Sequence, residues 1–232
     1  MTAEKSKKVR EVFDAISKDR TRTNLLRKYE QRALIYLVQA VPPSINSNVL
    51  TFIGFLGSLI TLSSFILAKY MNKYLLLFGI LGFIINWFGD SLDGRVAYYR
   101  HIPRKWYGFS LDLTIDWITT ILIGTGFIIY TDGIAEILGF LFVSMYGWEM
   151  ITALLRYKIT DKYTIDSGLL GPTETRVLVS LILLAEVFLP SSIVYCALFA
   201  CIVLFITNLR DTSKLLRMAN ERDKSERINE TE

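Results

Sequence analysis

Six apolar stretches follow one another along the chain, between a polar beginning and a polar end. They cover roughly residues 49–69, 74–90, 109–130, 133–154, 176–189 and 193–209. Several approach the ~20 residues that an α-helix needs to cross the hydrocarbon core of a bilayer. The pattern predicts an all-α fold, an integral membrane bundle of six transmembrane helices in which short outer loops make neighbouring helices antiparallel.

The segment from Asn24 to Val41 has a helical pattern of its own. Apolar residues recur there at helical spacing, at Leu26, Tyr29, Ala33, Leu37 and Val41, while Arg27, Lys28, Gln31 and Arg32 are polar. This alternation predicts an N-terminal amphipathic helix in the membrane interface, ended by Pro42-Pro43. Its apolar face is expected to bind either lipid or the transmembrane bundle.

The polar regions at the two ends of the chain set the domain boundaries. Residues 1–45 are predicted to form a cytoplasmic tail and the interfacial helix, and residues 46–210 the six-helix transmembrane domain. Residues 211–232 form a charged C-terminal tail that starts as a helical extension. Because residues 1–22 carry too little apolar surface for a core, any chemistry is expected in the transmembrane domain.

Composition and charge agree with a membrane protein and give its orientation. Hydrophobic residues make up 52% of the chain, and its mean hydropathy of +0.37 is high for a soluble domain. Of the 26 Lys and Arg residues, only Lys69 and Lys73 fall on the outer side of the six-span arrangement. Positive residues are retained in the cytoplasm during insertion, so both termini and the loops around 95–106 and 156–176 are expected there, as in a multi-pass protein of a bacterial inner membrane.

The charge pattern and the cysteine positions indicate how the chain is inserted, what it binds and whether it forms a local disulfide. The first 24 residues are dominated by charge and lack the apolar centre of a cleavable signal peptide, so the first span is expected to act as the signal. A net charge of +4 suits anionic lipid headgroups, and its spread along one membrane face argues against nucleic acid. Cys196 and Cys201 point apart on one predicted helix and cannot form a local disulfide.

Four aspartates in the second and third apolar stretches carry the chemistry. Asp90 and Asp93 are three residues apart, and Asp112 and Asp116 are four apart, so each pair shares a helical face. Unpaired, four carboxylates in two adjacent spans would cost on the order of 10 kcal/mol. Carboxylate ligands without thiolate or imidazole favour a hard cation, Mg²⁺ or alternatively Mn²⁺ or Ca²⁺. Two ions ~4 Å apart would suit phosphoryl transfer.

The spacing of these residues resembles the defining motif of the CDP-alcohol phosphotransferases, also called CDP-alcohol phosphatidyltransferases, in a bacterial-type form. The motif is Asp-x2-Asp-Gly-x2-Ala followed by Gly-x3-Asp-x3-Asp, and here it spans residues 90–116. Two features depart from it: Tyr98 stands where the family usually has Arg after Ala97, and the link to Gly108 is one residue longer. Arg95 or Arg100 is expected to replace that arginine.

The resemblance implies a fold, a reaction and a role for each motif residue. Members have six transmembrane helices and an amphipathic N-terminal helix, so the domain at 46–210 would be catalytic. Asp90, Asp93 and Asp112 would ligate metals that hold the donor's pyrophosphate, and Asp116 would deprotonate the acceptor hydroxyl while also contacting a metal. The cytidine nucleotide would be bordered by Gly94, Ala97 and Gly108.

Two assignments of substrate stay open within that family. CDP-diacylglycerol would donate a phosphatidyl group to a small polar alcohol, such as inositol phosphate or glycerol phosphate, and CMP would be released. The alternative is a CDP-amino alcohol donor with diacylglycerol or another lipid as acceptor. The candidates for substrate contact are Arg95, Arg100, Arg156, Lys158, Glu174 and Arg176.

Each of these features also has a simpler interpretation. The aspartates could form a buried ion-pair network with Arg95, Arg100 or Arg156, or belong to a transporter, although transporter charges usually lie near the membrane midplane. The basic turn at 100–105 is expected to reflect retention of positive residues in the cytoplasm more than substrate binding. The stretch from Gly171 to Arg176 opens a helix and would either contact the acceptor or form an interfacial ion pair. Glu149 could pair with Arg156.

Small residues indicate where helices approach each other closely. Gly54 and Gly57 in the first span permit such an approach. Four further glycines, Gly124, Gly126, Gly139 and Gly147, suit either close packing within the chain or a homodimer.

Overall fold

Seven α-helices make up the part of the chain that the computed structural model describes, residues 26–160 and 172–231. They are α1 (Arg27–Ala40), α2 (Ser47–Tyr70), α3 (Leu77–Tyr99), α4 (Lys105–Tyr130), α5 (Glu136–Thr160), α6 (Pro172–Phe188) and α7 (Ser192–Thr231). Short 3-10 turns at Lys73–Leu76 and Gly133–Ala135 lead into α3 and α5. No strand occurs in these residues, so the all-α prediction is confirmed. The predicted tail at 1–22 and most of the loop at 156–176 lie outside the described residues.

The chain is a multi-pass integral membrane protein. By length and composition, five of the described helices could cross a bilayer: α2, α3 with its turn, α4, α5 with its turn, and α7 up to Ile228. Large apolar side chains on their outer faces are solvent-accessible, such as Phe140 at 64% and Phe199 at 69%, which suits contact with lipid. Helix α6 has 17 residues, a length of roughly 25 Å, so the sixth crossing stays a prediction.

Helix α1 packs against the bundle through a face that overlaps the predicted one only in part, at Leu37 and Val41. Leu34, Ile35 and Val38 are buried in a cluster with Leu50 of α2 and with Leu92 and Val96 of α3. Tyr29, which the periodicity placed on the apolar face, is 72% exposed. Glu30 explains the difference, because it occupies the buried face one turn before Leu34 and makes that stripe look polar in the sequence. Location of α1 in the membrane interface stays a prediction.

Helices α2 and α3 touch through glycines, which we call the glycine seam: Gly54 and Gly57 of α2 with Gly82 and Gly89 of α3. A Cβ atom at Gly57 would lie 2.5 Å from the carbonyl oxygen of Gly82, and one at Gly89 would lie 2.6 Å from the Cα of Gly54. Only glycine permits backbones to approach this closely. The close approach predicted at Gly54 and Gly57 is therefore confirmed.

The four remaining glycines named above also lie at contacts within the chain. A Cβ atom at Gly126 would meet the ring of Phe65 at 2.6 Å, and one at Gly147 would meet Trp117 at 2.7 Å. Gly124 and Gly139 face each other between α4 and α5. Close packing within the chain thus accounts for all four glycines, and a homodimer stays a prediction.

The end of the bundle distant from the aspartates is organised by Glu186 of α6. Its buried carboxylate accepts hydrogen bonds from the backbone N–H groups of Ser191 (3.0 Å) and Ile193 (2.9 Å), at the start of α7, and from the hydroxyl of Tyr130 (3.1 Å). A carboxylate at a helix N-terminus satisfies donors that the helix leaves unpaired. From there α7 continues without a break to Thr231, so the predicted helical extension beyond residue 210 is confirmed.

We predict that Gly89→Ala destabilises the bundle. The added methyl group would press on the backbone of α2, and such overpacking lowers the free energy of unfolding by about 1–3 kcal/mol. Unfolding of the purified protein in mixed detergent micelles measures the change. Gly108→Ala is the matched control, because nothing lies within 4 Å of a Cβ atom there. An unfolding free energy that is equal in the two variants would contradict the proposed contact.

Candidate metal centre

The turn between α3 and α4 brings the two halves of the aspartate motif together. Helix α3 ends where the N–H of Ile102 bonds to the carbonyl of Ala97 (3.0 Å) and His101 adopts a left-handed backbone with φ of 57°. These features are typical of a helix C-terminus that reverses the chain within a few residues. Helix α4 then runs back across the bundle and packs against α2.

Three of the four aspartates converge as a result. Asp90 of α3 and Asp112 and Asp116 of α4 each direct a carboxylate oxygen to one place, and these oxygens all lie within 4.8 Å of one another. The three side chains are half-buried. Negative charges this close repel each other unless a cation lies between them, and carboxylate oxygens are the ligands that hard divalent ions prefer. Chemistry and spacing therefore fit a divalent metal held by Asp90, Asp112 and Asp116.

Asp93 lies outside this group of three and faces α2. The Thr51 hydroxyl donates a hydrogen bond to its Oδ2 (2.7 Å), and the Ser47 hydroxyl donates to its backbone carbonyl (2.8 Å). A spacing of three residues leaves about 60° between two side chains on a helix, so Asp93 can turn towards α2 while Asp90 turns towards α4. A ligand role for Asp93 stays a prediction.

Arg176 of α6 is a cation that lies at the aspartates. Its Nη2 donates to Oδ2 of Asp90 at 2.7 Å, and its Nε donates to Oδ1 of Asn86, also at 2.7 Å. Arg176 thus forms an ion pair, as one interpretation of the 171–176 stretch expected, but its partner is Asp90. Gly171 lies outside the described residues. Contact of Arg176 with an acceptor stays a prediction.

Three arginines that the sequence offered as substrate or ion-pair residues have other partners. Arg95 is buried, donates to the carbonyl of Ser91, and lies 3.5 Å from Oε1 of Glu30. Arg100 donates to the carbonyls of Val41 (3.1 Å), Pro42 (2.9 Å) and Ile45 (2.6 Å) and so fixes the link between α1 and α2. Arg156 lies 3.7 Å from Asp211 of α7.

The remaining predicted residues are spread around the cytoplasmic end proposed for the bundle. Glu174 is buried, and its Oε1 accepts from the backbone N–H of Leu26 at the start of α1 (2.8 Å). Lys158 is exposed near the end of α5, with Arg222 bonded to its carbonyl. Gly94 and Ala97 are half-buried on α3, and Gly108 opens onto free space at the start of α4. The nucleotide contacts expected of these three stay predictions.

Several polar residues that support the centre were not expected from the sequence. Asn86 precedes Asp90 by one turn of α3 and is 4% exposed. Ser58 of α2 shares a hydrogen bond with Thr119 of α4 (2.8 Å), and Thr51 holds Asp93. The available signal was the occurrence of Asn86 in an otherwise apolar span, because buried amides in a bilayer need partners.

One comparison with known proteins bears on this site. The protein-family model for CDP-alcohol phosphatidyltransferase matches residues 45–211, well over half of the chain. All four aspartates, Asn86 and Arg176 fall within the matched region. No curated protein matches the chain.

We predict that Asp112→Asn weakens divalent-metal binding by at least about tenfold, because it removes one of three converging charged ligands. Titration of the detergent-purified protein with Mn²⁺, followed by the electron paramagnetic resonance signal of the free ion, measures the dissociation constant. Asp132→Asn is the control, since Asp132 pairs with Lys69 away from the cluster. Equal Mn²⁺ affinity in the Asp112→Asn variant and the unmodified protein would remove Asp112 from the metal centre.

Proposed function

Since the chain belongs to the CDP-alcohol phosphatidyltransferase family, whose members are transferases of substituted phosphate groups, we propose that it transfers a phosphatidyl group from CDP-diacylglycerol. The acceptor is a small polar alcohol such as inositol phosphate or glycerol phosphate, and CMP is released. The observation that carries this proposal is the convergence of Asp90, Asp112 and Asp116 beside Arg176. The reaction belongs to phospholipid biosynthesis.

The roles proposed for the aspartates are those that the family resemblance implies. Asp90 and Asp112, together with Asp93, would hold divalent ions, with two Mg²⁺ ions favoured and Mn²⁺ as a substitute. Such ions neutralise the pyrophosphate of the donor and the charge that develops as its bond breaks. The fourth carboxylate, Asp116, accepts the proton of the acceptor hydroxyl. The hydroxyl oxygen forms a bond to the phosphorus that bears the diacylglycerol, and the bond from this phosphorus to the oxygen of CMP breaks.

An apolar groove beside Arg176 supports a substrate that carries a lipid. The groove, about 390 Å³ in volume, lies between α3 and α6. Its lining residues are Ile80, Phe83, Ile84, Trp87, Thr173, Arg176, Val177, Ser180, Leu181 and Leu184. Arg176 lines the groove and also bonds to Asp90, so a phosphate next to this guanidinium would have its acyl chains beside apolar side chains. Arg176 would bind the anionic acceptor or the phosphate being transferred.

The proposed location follows from the positive residues. Both termini and the metal centre would face the cytoplasm, where the nucleotide donor and a water-soluble acceptor are available. Substrate contacts are less favoured for five other candidates, Arg95, Arg100, Arg156, Lys158 and Glu174. All of them except Lys158 have described side-chain contacts that hold another part of the chain.

The first test of the function is the release of CMP. Purified protein with Mg²⁺, CDP-diacylglycerol and a panel of alcohols is expected to form CMP and a new phospholipid with one acceptor. The alternative assignment, a CDP-amino alcohol donor with diacylglycerol as acceptor, is tested by exchanging the donor in the same assay. The groove would accommodate either lipid, so the donor and acceptor that react faster decide between the two assignments. No CMP with any pair of substrates would refute the proposed reaction.

The second test separates the base from the metal ligands. Asp116→Asn should lower kcat by at least about 100-fold, the usual contribution of a general base, and change donor affinity little. Asp90→Asn and Asp112→Asn should weaken donor binding as well as turnover. Steady-state kinetics and equilibrium binding of a CDP-linked donor measure the two effects. If Asp116→Asn abolishes donor binding as fully as the other two substitutions, Asp116 is a metal ligand and another group is the base.

A further inference from the structure

Asn86 lies at the centre of a hydrogen-bonded network that joins four helices next to the metal centre. Its Nδ2 donates to the carbonyl oxygen of Gly54 (3.1 Å) and to Oγ of Ser58 (3.0 Å), both on α2. Its Oδ1 accepts from Nε of Arg176 on α6 (2.7 Å), and Ser58 continues the network to Thr119 on α4 (2.8 Å). We call these residues the Asn86 network.

The network allows one orientation of the Asn86 amide. Both hydrogens of Nδ2 are used on α2, which leaves the carbonyl oxygen as the group that meets Arg176. The reversed amide would place an N–H donor against the N–H of Arg176 and an oxygen against the Gly54 carbonyl, and both contacts would repel. A buried amide with three fixed partners therefore presents a single, oriented acceptor.

The position of this acceptor determines how Arg176 meets Asp90. Asn86 and Asp90 are one helical turn apart, so the guanidinium of Arg176 spans them, with Nε on the amide and Nη2 on the carboxylate. Asp90 thus receives a single nitrogen of Arg176. Without the Asn86 oxygen, the planar guanidinium could turn and grip the Asp90 carboxylate with two nitrogens, the arrangement that arginine and carboxylate favour.

We propose that Asn86 is a positioning residue that limits the contact of Arg176 with Asp90 and thereby keeps this carboxylate accessible to a divalent cation. Arg176 in this fixed position directs its remaining nitrogen, Nη1, to an oxygen of a bound phosphate. Asn86 itself touches neither metal nor substrate. The part of this inference that concerns the phosphate rests on the proposed function. The part that concerns the cation does not depend on that function.

The test is a double-mutant cycle on Mn²⁺ binding, measured without substrate by the resonance of the free ion. Asn86→Leu should raise the dissociation constant of Mn²⁺ about 3- to 10-fold, because Arg176 then competes more strongly for Asp90. In an Arg176→Gln background, which lacks this guanidinium, the same substitution should change the dissociation constant less than about 2-fold. Ser58→Ala, which removes one of the bonds that fix the amide, should shift affinity in the same direction by a smaller factor and only when Arg176 is present.

Asn208→Leu is the matched control. Asn208 is also a fully buried asparagine, and its Nδ2 donates to the carbonyl of Met145 between α7 and α5. Its loss should lower stability without changing Mn²⁺ affinity. The inference is overturned if Asn86→Leu weakens Mn²⁺ binding equally in both backgrounds, if it has no effect in either, or if Asn208→Leu has the same effect. Should Asn86→Leu not fold, the Ser58→Ala pair alone decides by the same criterion.

The Mn²⁺ cycle and the enzymatic assay fail independently. Absence of CMP from every donor and acceptor would refute the proposed reaction and leave the competition between Arg176 and the cation measurable. Conversely, a protein that makes phospholipid but shows equal Mn²⁺ effects in both backgrounds would keep its function and lose the role assigned to Asn86.

Discussion

The glycine seam between α2 and α3 is the contact on which the geometry of the metal centre depends. Packed helices normally have axes 8–10 Å apart, held there by the side chains between them, and glycine removes that spacer. At the seam the backbone of α2 becomes a hydrogen-bonding surface for α3: the Gly54 carbonyl accepts from Asn86, and Thr51 reaches the Asp93 carboxylate. The seam contains no polar side chain, yet it sets the direction in which Asn86 and Asp93 of α3 point. The same rotation of α3 leaves Asp90 towards α4 and α6.

Charged side chains join helices α1, α3 and α6 near this centre, so that each of the three is bonded to the other two. Glu30 of α1 pairs with Arg95 of α3, Arg176 of α6 pairs with Asp90 of α3, and Glu174 of α6 accepts the N–H of Leu26 at the start of α1. Burial of one such charge without its partner would be strongly unfavourable, so each pair fixes the relative position of its two elements. Helix α1 consequently does more than cover apolar surface. It ties together α3 and α6, the two helices that form the groove and hold the Arg176–Asp90 pair.

The sequence predicts the features of this protein that depend on local spacing, and it fails where a distant partner decides. Continuous apolar runs mark the spans because a bilayer core requires them, and the four-residue spacing of Asp112 and Asp116 places both on one face of α4. The buried face of α1 could not be found in this way, since Glu30 on that face pairs with Arg95, 65 residues away. Likewise, Asp93 turns from the other three aspartates because Thr51 is present on the neighbouring helix. Periodicity alone does not contain that information.

Arg176 lies at the boundary between a charged centre and an apolar groove, and this position has a chemical consequence. A guanidinium at the edge of a bilayer is costly unless anionic groups surround it, and in this chain Asp90 supplies one such group while the groove supplies none. A ligand in the groove would meet apolar side chains along its length, and one that reached the remaining N–H groups of Arg176 would present an anionic group to them. A phospholipid-type molecule meets both demands with a single phosphate between its two parts. The family assignment and the arrangement of α3 and α6 thus agree in placing a phosphate-transfer centre beside an apolar surface.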